Sequence, residues 1–486
     1  MDTIPFLAIL VPLAGAVLIG LTGHSPNVRE TITLITAGSL FLLVTQLLPD
    51  LLHGGRPGFV ILTPVPDLPL ALEVEPLGML FALIASFLWI VTSIYSIGYM
   101  RGHHELHQTR FYVCFAIAIA SAMGVAFAGN MFTLFVFYET LTLSTYPLVT
   151  HAGTEEAKRA GRLYLGLLLF TSIGLQLVAI IWTWVLAGTL DFTPGGILDG
   201  KASSTVISVL FVLYILGIGK AALMPFHRWL PAAMVAPTPV SALLHAVAVV
   251  KAGVFTILKV CVYIFGLDLL SQVGSRPWIL YLAGITIVVA SLIAMTKDNL
   301  KARLAYSTIS QLSYVILGAL LANAWGVIGS GMHIAMHAFG KITLFFGAGA
   351  IMVAAHKTEI SDMNGIGRAM PVTMLAFLIG CLSVIGLPPM GGMWSKWYLA
   401  LGTLEAQQIP LLGVLLLSAL LNIAYLLPIP VRAFFNQPKD GKVSQGLQEA
   451  PLPCLIALVI TSVGCLVLFF GSDGLYALLE TIISVN

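Results

Sequence analysis

Long apolar runs are the feature that most restricts how this chain can fold. The 486 residues contain about fourteen runs of the length that a membrane-spanning helix needs, roughly 20 residues each. The chain is 58% hydrophobic and only 9% charged, whereas a soluble domain carries about 25% charged residues. The composition therefore excludes a soluble globular protein and predicts an all-α polytopic membrane protein with about 14 transmembrane helices.

The predicted segments follow one another with short connections. No soluble domain is expected between them, because the longest polar loop, 436–451, is too short to fold alone. The first run lacks the flanks of a cleaved signal peptide, so we expect it to be retained. The segments, numbered in chain order, are 3–22, 30–50, 72–99, 110–128, 130–150, 162–187, 204–224, 237–265, 277–296, 303–323, 326–355, 371–401, 409–434 and 452–481.

The positions of Lys and Arg predict the orientation. Loops after odd-numbered segments hold 15 of these residues and loops after even-numbered segments hold 3. Because positive charge stays on the cytoplasmic side, we expect a multi-pass protein of the cell inner (plasma) membrane with both termini on the outer side.

Cofactor and nucleic-acid motifs give no signal. There is no GxGxxG after a strand and no GxxxxGK[ST], so neither NAD nor ATP is expected to bind. The five Cys lie in apolar stretches without CxxC spacing, which argues against a metal cluster. No basic stripe indicates nucleic acid. The sequence predicts a chain without a cofactor or a metal of its own.

Ionisable residues inside the apolar runs are the strongest functional signal. Each costs at least ~2.5 kcal/mol at bilayer depth, or on the order of 15 kcal/mol for six independent charges. Such a cost predicts a hydrated proton or ion relay through the interior of the bundle. The alternative is that some of these residues snorkel or form static pairs, and Lys259, near a segment end, is the weakest case. The charged set is Glu139, Lys220, Lys251, Lys259, Lys341 and Lys396, joined by His245, His333 and His337.

Glu139 is the only acid that the predicted segments place at depth, and it suggests a partner for Lys220. Such a pair would hold the lysine charged. Separation would leave a desolvated amine that releases its proton, and the pair would then act as a switch.

His333, His337 and Lys341 recur every four residues in segment 11, so they form a stripe on one helix face. Histidine titrates near neutral pH, which suits proton transfer. Metal binding is the rival interpretation. It is disfavoured because no acid or Cys completes a ligand set and because Lys341 would repel a cation.

Two segments are interrupted. Segment 7 is broken by Pro225 soon after Lys220, and segment 12 by Gly386–Gly392 just before Lys396. Freed backbone groups need polar partners in hydrocarbon, so each break predicts a polar cavity. The breaks are five segments apart, which predicts two inverted five-helix repeats (segments 4–8 and 9–13); ordinary proline kinks are the alternative. The expected division of the chain is 1–109, 110–265, 277–435 and 452–486.

Six motifs, in order over about residues 75–435, resemble a known family. They are NMFTLFVFYETLTLSTYPLV, GKAALMPFHRWLPAAM, LLHAVAVVKAGVF, LKARLAYSTISQLSYV, HIAMHAFGKITLFF and GLPPMGGMWSKW. These stretches resemble the proton-translocating, antiporter-like subunits of respiratory complex I, membrane-bound hydrogenases and Mrp-type multisubunit cation/proton antiporters. FYETLTLSTYPLVTH and EEAKRAGRLYLG resemble the D-type Mrp subunit most.

The resemblance implies a role for each deep charge. Glu139 and Lys220 match the family's essential pair, and Lys251 the connecting lysine of segment 8. His245 matches the histidine of LLHA, and Lys396 the lysine of the second half-channel. The remaining matches, to the segment 11 relay, are His333, His337 and Lys341.

The resemblance also implies a function. Protons would pass through two half-channels joined by a central Lys/His axis, coupled to opposite movement of Na⁺. The implied partners are Mrp subunits of the A, B, C, E, F and G types. The alternative, a proton-pumping subunit of a complex I-like NADH:quinone oxidoreductase or a membrane-bound hydrogenase, uses the same relay and stays open.

Overall fold

The structure is a computed structural model that describes residues 1–437 and 446–484. Lys439 and Lys442, which contribute to the predicted charge bias, lie outside the described residues, as do half of the predicted polar loop and residues 485 and 486.

Helices make up most of the described chain. Their bounds are α1 (Ile4–Leu21), α2 (Pro26–Leu52), α3 (Pro76–Gly102), α4 (Gln108–Ala126), α5 (Met131–Val149), α6 (Glu155–Thr171), α7 (Leu177–Ala187), α8 (Ser204–Gly217), α9 (Trp229–Ala232), α10 (Thr238–Ala242), α11 (Val249–Lys259), α12 (Leu267–Gln272), α13 (Arg276–Thr296), α14 (Leu300–Leu320), α15 (Ala324–Ala355), α16 (Pro371–Ile385), α17 (Gly392–Glu405), α18 (Ile409–Leu426), α19 (Pro428–Phe435), α20 (Leu452–Phe470) and α21 (Ser472–Ser484).

These helices cover all fourteen predicted segments, and the prediction of a helical membrane protein is confirmed. Among the described residues, 10 helical stretches are long and apolar enough to cross a membrane. α5 and α14 are not among them, because both carry several polar side chains. The number of helices that cross a membrane therefore stays a prediction.

A β-hairpin departs from the predicted all-α fold. β1 (Gly58–Val65) and β2 (Leu68–Glu73) pair antiparallel, and Asp67 at the turn has a positive φ of 62°. Leu72 of β2 also bridges to Ala128 after α4. The sequence analysis missed this hairpin because three prolines interrupt its alternating pattern.

Both predicted breaks are present. The first begins earlier than predicted: α8 ends at Gly217, and Lys220 lies inside the break, in a 3₁₀ turn of Gly219–Ala221. The second separates α16 from α17, and Gly386 there has a φ of 90°. The breaks lie in segments 7 and 12, as predicted, while the two inverted five-helix repeats stay a prediction.

Segment 8 forms the centre of the bundle. It runs from α10 through a π-helical stretch (Leu243–Val247) into α11 and a second π-helical stretch (Val260–Phe265). Its most apolar stretch, within Thr238–Phe265, is 100% buried by the rest of the chain. The π-helical stretches were not predicted, and His245 lies in the first of them.

A glycine on α11 lets the first break pack closely against segment 8. A side chain at Gly253 would overlap the backbone of Lys220 and Ala221. Because glycine has no side chain, the turn that carries Lys220 can pack directly against α11 at this position.

We expect Gly253→Ala to destabilise the protein by about 1–3 kcal/mol, because the added methyl overpacks against backbone that cannot move aside. Thermal unfolding of the purified protein would measure the change. Gly166→Ala is the matched control, since Gly166 is an exposed helical glycine with open space around it. Equal unfolding temperatures for the two variants would contradict this account of the packing.

Candidate functional site

A direct contact joins segments 8 and 11 at the centre of the bundle. Lys251 Nζ on α11 lies 2.7 Å from His337 Nδ1 on α15. Both side chains are buried, with exposed fractions of 0% and 3%. The structure thus brings together two residues that sequence analysis assigned to one relay.

From His337 the polar row continues along α15. The rings of His337 and His333 are stacked with centroids 5.6 Å apart. Nδ1 of His333 is 2.9 Å from Ser395 Oγ on α17. The ring of Tyr314 stacks on the other side of His333 at 5.4 Å. Neither Tyr314 nor Ser395 was predicted, because both are residue types common in apolar helices.

Lys396 lies at the far end of this row. Its Nζ is 5.1 Å from the centroid of the Tyr314 ring. Nζ also donates to Val384 O at 2.8 Å and Ile385 O at 2.9 Å, the last carbonyls of α16. Lys396 is only partly buried, so the row Lys251–His337–His333–Tyr314–Lys396, called here the central row, approaches the surface at this end.

Lys341 points away from the two histidines on its own helix. Its Nζ donates to Ser307 Oγ at 2.6 Å and to Leu304 O at 3.2 Å, both on α14. α14 also carries Tyr314, which stacks on His333, so the first and third residues of the predicted stripe contact the same neighbouring helix.

His245 is buried next to segment 11. Its exposed fraction is 0%, and its ring lies 4.7 Å from that of Phe345. Neither ring nitrogen has a hydrogen-bond partner among the described residues. His245 therefore lies close to α15, without a direct contact to the central row.

Among the described residues, Glu139 and Lys220 make no direct hydrogen bond, and their pairing as a switch stays a prediction. Lys220 Nζ donates to Tyr138 O and Thr142 Oγ1, each at 2.6 Å, and lies 3.2 Å from the Tyr138 ring centroid. Both carboxylate oxygens of Glu139 are buried and have no hydrogen-bond partner among the described residues.

Helix geometry explains the missing hydrogen bond. Tyr138 and Thr142 are four residues apart and share the face of α5 that meets Lys220, whereas the next residue, Glu139, points about 100° away from it. Glu139 is partly buried as a whole residue, although both of its carboxylate oxygens are buried.

Lys259 does not snorkel. It is fully buried, and its Nζ lies 3.4 Å from Glu75 Oε1 and 2.9 Å from Ala128 O. Glu75 also caps the first turn of α3, accepting from Leu77 N and Gly78 N, and accepts from Tyr263 Oη at 2.8 Å. Sequence analysis missed Glu75, because it lies at the junction between the hairpin and the helix, and it also missed Glu30 of α2, which is buried as well.

Lys259 and the central row differ in chemistry. Lys259 faces a carboxylate that itself accepts several hydrogen bonds, which makes a static buried ion pair. The central row holds imidazoles that take up a proton at one nitrogen and release one at the other. Nε2 of His333 and of His337 is buried without a partner among the described residues. Buried polar atoms normally find one, so these nitrogens are expected to bind ordered water.

A metal centre is not supported by the geometry. Within the described residues, no three His, Cys, Asp or Glu side chains are placed to hold one ion.

The fold and the central row define a polytopic membrane protein with a row of titratable side chains in its interior, joined by one hydrogen bond and by ring contacts. Residues 128–422 match the family described as NADH:quinone oxidoreductase/Mrp antiporter, transmembrane. Residues 64–112 match the N-terminus of chain 5 of NADH-ubiquinone oxidoreductase (complex I). The first match covers more than half of the chain, so the chain belongs to this proton-antiporter family.

Curated relatives of known type are similar over most of the chain. NADH-quinone oxidoreductase subunit N of Desulforudis audaxviator is 29% identical over 96% of this chain and 95% of the relative. Hydrogenase-4 component B of Escherichia coli is 29% identical over 84% of this chain and 63% of the relative.

A solved structure of the Mrp complex from Dietzia sp. DQ12-45-1b contains a chain with the same fold. The TM-score is 0.87, with 20% identity over 99% of this chain and 96% of that one. The predicted resemblance to Mrp and complex I subunits is thereby confirmed, whereas the D subunit type stays a prediction.

We expect Glu75→Gln to destabilise the protein by about 3–5 kcal/mol, because the charged Lys259 would remain buried without its partner. Thermal unfolding of the purified protein would measure the loss. The double variant Glu75→Gln/Lys259→Met removes both charges and should recover part of it. A single variant as stable as the wild type would show that the pair does not hold the hairpin junction together.

Proposed function

We propose that this chain is the proton-translocating subunit of a multisubunit monovalent cation (Na⁺)/H⁺ antiporter, of the D type. The central row supports this most directly, because it is a series of neighbouring titratable and hydroxyl side chains that extends from segment 8 to the second break. A structural role alone does not account for it, since hydrophobic side chains would fill the same volume at a lower desolvation cost.

Protons travel through two half-channels. They reach Lys220 at the first break and pass to Lys251. From there they move along His337 and His333 and leave at Lys396. His245 and Lys341 complete the polar axis beside this path. The transmembrane potential contributes ~2.3 kcal/mol per charge for each 100 mV.

Lys220 acts as the gate. Its amine is held here by the Tyr138 carbonyl and the Thr142 hydroxyl of α5, one residue before and three residues after Glu139. Rotation of the lysine side chain towards Glu139 creates the ion pair of the charged state. Return to the observed contacts, with neutral partners, favours release of the proton.

The transported cation crosses elsewhere in the complex. The titratable groups of the axis are basic apart from Glu139, and amines repel Na⁺. We therefore assign cation passage to the other membrane subunits, of the Mrp A, B, C, E, F and G types. The complex lies in the cell inner membrane, with both termini of this chain on the outer side, as the Lys/Arg bias indicates.

A second candidate is a proton-pumping subunit of a redox complex. The observation in its favour is that both curated relatives described above carry the names of redox-complex components, an NADH-quinone oxidoreductase and a hydrogenase. The same relay suits both an antiporter and a redox-driven proton pump. The difference lies in the driving force, which is electron transfer in another subunit in one case and a cation gradient in the other.

We expect Lys220→Met to abolish proton movement while the complex still assembles, because methionine fills the space of the lysine stem but carries no proton. Cation/proton exchange in everted vesicles containing the whole complex, with Na⁺, K⁺ and Li⁺ compared, measures the effect. Lys158→Met is the matched control, since Lys158 is an exposed lysine paired with Glu155.

Exchange retained by Lys220→Met would overturn the assignment of the relay. If the wild-type complex exchanges no cation but acidifies vesicles when an electron donor and a quinone are added, the redox candidate replaces the antiporter.

A further inference from the structure

A cavity of about 240 Å³ lies where α13 and α14 meet α18 and α19. Its lining includes the charged side chains of Asp298, Arg303 and Arg432, together with Met295, Pro428 and Tyr425. Asp298 is exposed, so this cavity is reached from the surface that carries the α13–α14 loop. None of its lining residues belongs to the central row.

Tyr425 connects this cavity with the axis. The residue forms part of the cavity wall, and its backbone carbonyl accepts from Arg303 Nη1 at 3.0 Å. Its side chain is buried, and its hydroxyl oxygen lies 3.0 Å from Ser307 Oγ, which donates to it because the single hydrogen of the Tyr425 hydroxyl goes to Asn422 Oδ1. The same Ser307 Oγ accepts from Lys341 Nζ at 2.6 Å. Hydrogen bonds therefore run without interruption from the amine of Lys341 to a residue of the cavity wall.

The side chains around this connection suit a chain of hydrogen-bonded hydroxyl groups rather than a cation-binding site. Asn422, one helical turn before Tyr425 on α18, accepts from the Tyr425 hydroxyl through Oδ1, while its Nδ2 is buried with no partner among the described residues. Two arginines and one aspartate line the cavity, and their net positive charge disfavours a monovalent cation there.

We propose that Ser307 and Tyr425 form a side branch of the relay, through which protons pass between water in this cavity and Lys341. This branch rests on the proposed function and adds an access route to it, on the side of the α13–α14 loop and apart from the two breaks.

Proton transfer along the branch leaves both hydroxyl groups neutral. The ammonium group of Lys341 gives a proton to Ser307 Oγ, and Ser307 releases its own proton to the Tyr425 hydroxyl oxygen. Tyr425 in turn releases its own proton to a water in the cavity, which leaves as a hydronium ion, and Lys341 becomes a neutral amine. The hydroxyl hydrogens then rotate back for the next transfer, and a hydronium ion in the cavity drives the same steps in reverse.

The first test removes the hydroxyl oxygen of Tyr425. We expect Tyr425→Phe to lower the initial rate of proton exchange in vesicles of the whole complex about tenfold or more, because phenylalanine keeps the packing but cannot relay a proton. Tyr281→Phe is the matched control: Tyr281 also donates a hydrogen bond, to Gln408 at 3.1 Å, but on the surface, with 41% exposure. Equal exchange rates in the two variants would overturn the relay.

The second test does not depend on transport. Ser307→Cys in the whole complex should react with a small water-soluble thiol reagent added on the side of the α13–α14 loop. Thr308→Cys should not, because Thr308 is equally buried but bonds only to Leu304 O of its own helix. The wild-type chain, with five cysteines, sets the background.

The two tests separate the possible failures. If Ser307→Cys is as inert as Thr308→Cys, the branch is refuted whether or not the complex exchanges cations for protons. If Ser307→Cys reacts while the wild-type complex shows no exchange, the water-accessible branch stands and the antiporter function falls.

Discussion

The whole arrangement depends on how a buried amine is stabilised without a carboxylate. Three lysines of the axis donate to neutral oxygens: Lys220 to Tyr138 and Thr142, Lys341 to Leu304 and Ser307, and Lys396 to two carbonyls of α16. Neutral acceptors stabilise an ammonium group less than a carboxylate does. The charged and neutral forms of these side chains are thereby closer in free energy. Lys259 shows the opposite case, because its carboxylate partner holds it in one state.

The helix breaks supply several of these oxygens. The last carbonyls of a helix have no partner within it and carry the negative end of its dipole. α16 ends at Ile385, and its final carbonyls accept from Lys396. At the first break the lysine itself sits in the interrupted stretch and reaches across to α5. A broken helix and a buried lysine therefore occur together, because the free backbone carbonyls need hydrogen-bond donors and the buried amine needs acceptors.

The sequence was sufficient to predict the helical membrane fold, both interruptions and the residues that form the axis, because each leaves a local signal: an apolar run, a proline or glycine cluster, or a charge where charges are costly. It could not predict contacts set by the rotation of a helix. Glu139 and Lys220 looked like partners by charge, but the face of α5 that meets Lys220 carries Tyr138 and Thr142 instead. Tyr314, Ser395 and the prolines of the hairpin had no compositional signal that separates them from ordinary residues of their kind.

Segment 8 carries the connecting lysine and is enclosed by protein over its most apolar stretch. Its amines and its histidine thus never meet acyl chains, and a change in lipid composition reaches them only through the surrounding helices. The same enclosure bears on biosynthesis. A stretch that holds Lys251 and Lys259 is costly to leave in lipid, so the neighbouring helices must pack around it soon after it leaves the translocon. Segments that are synthesised later, such as α15, complete this packing.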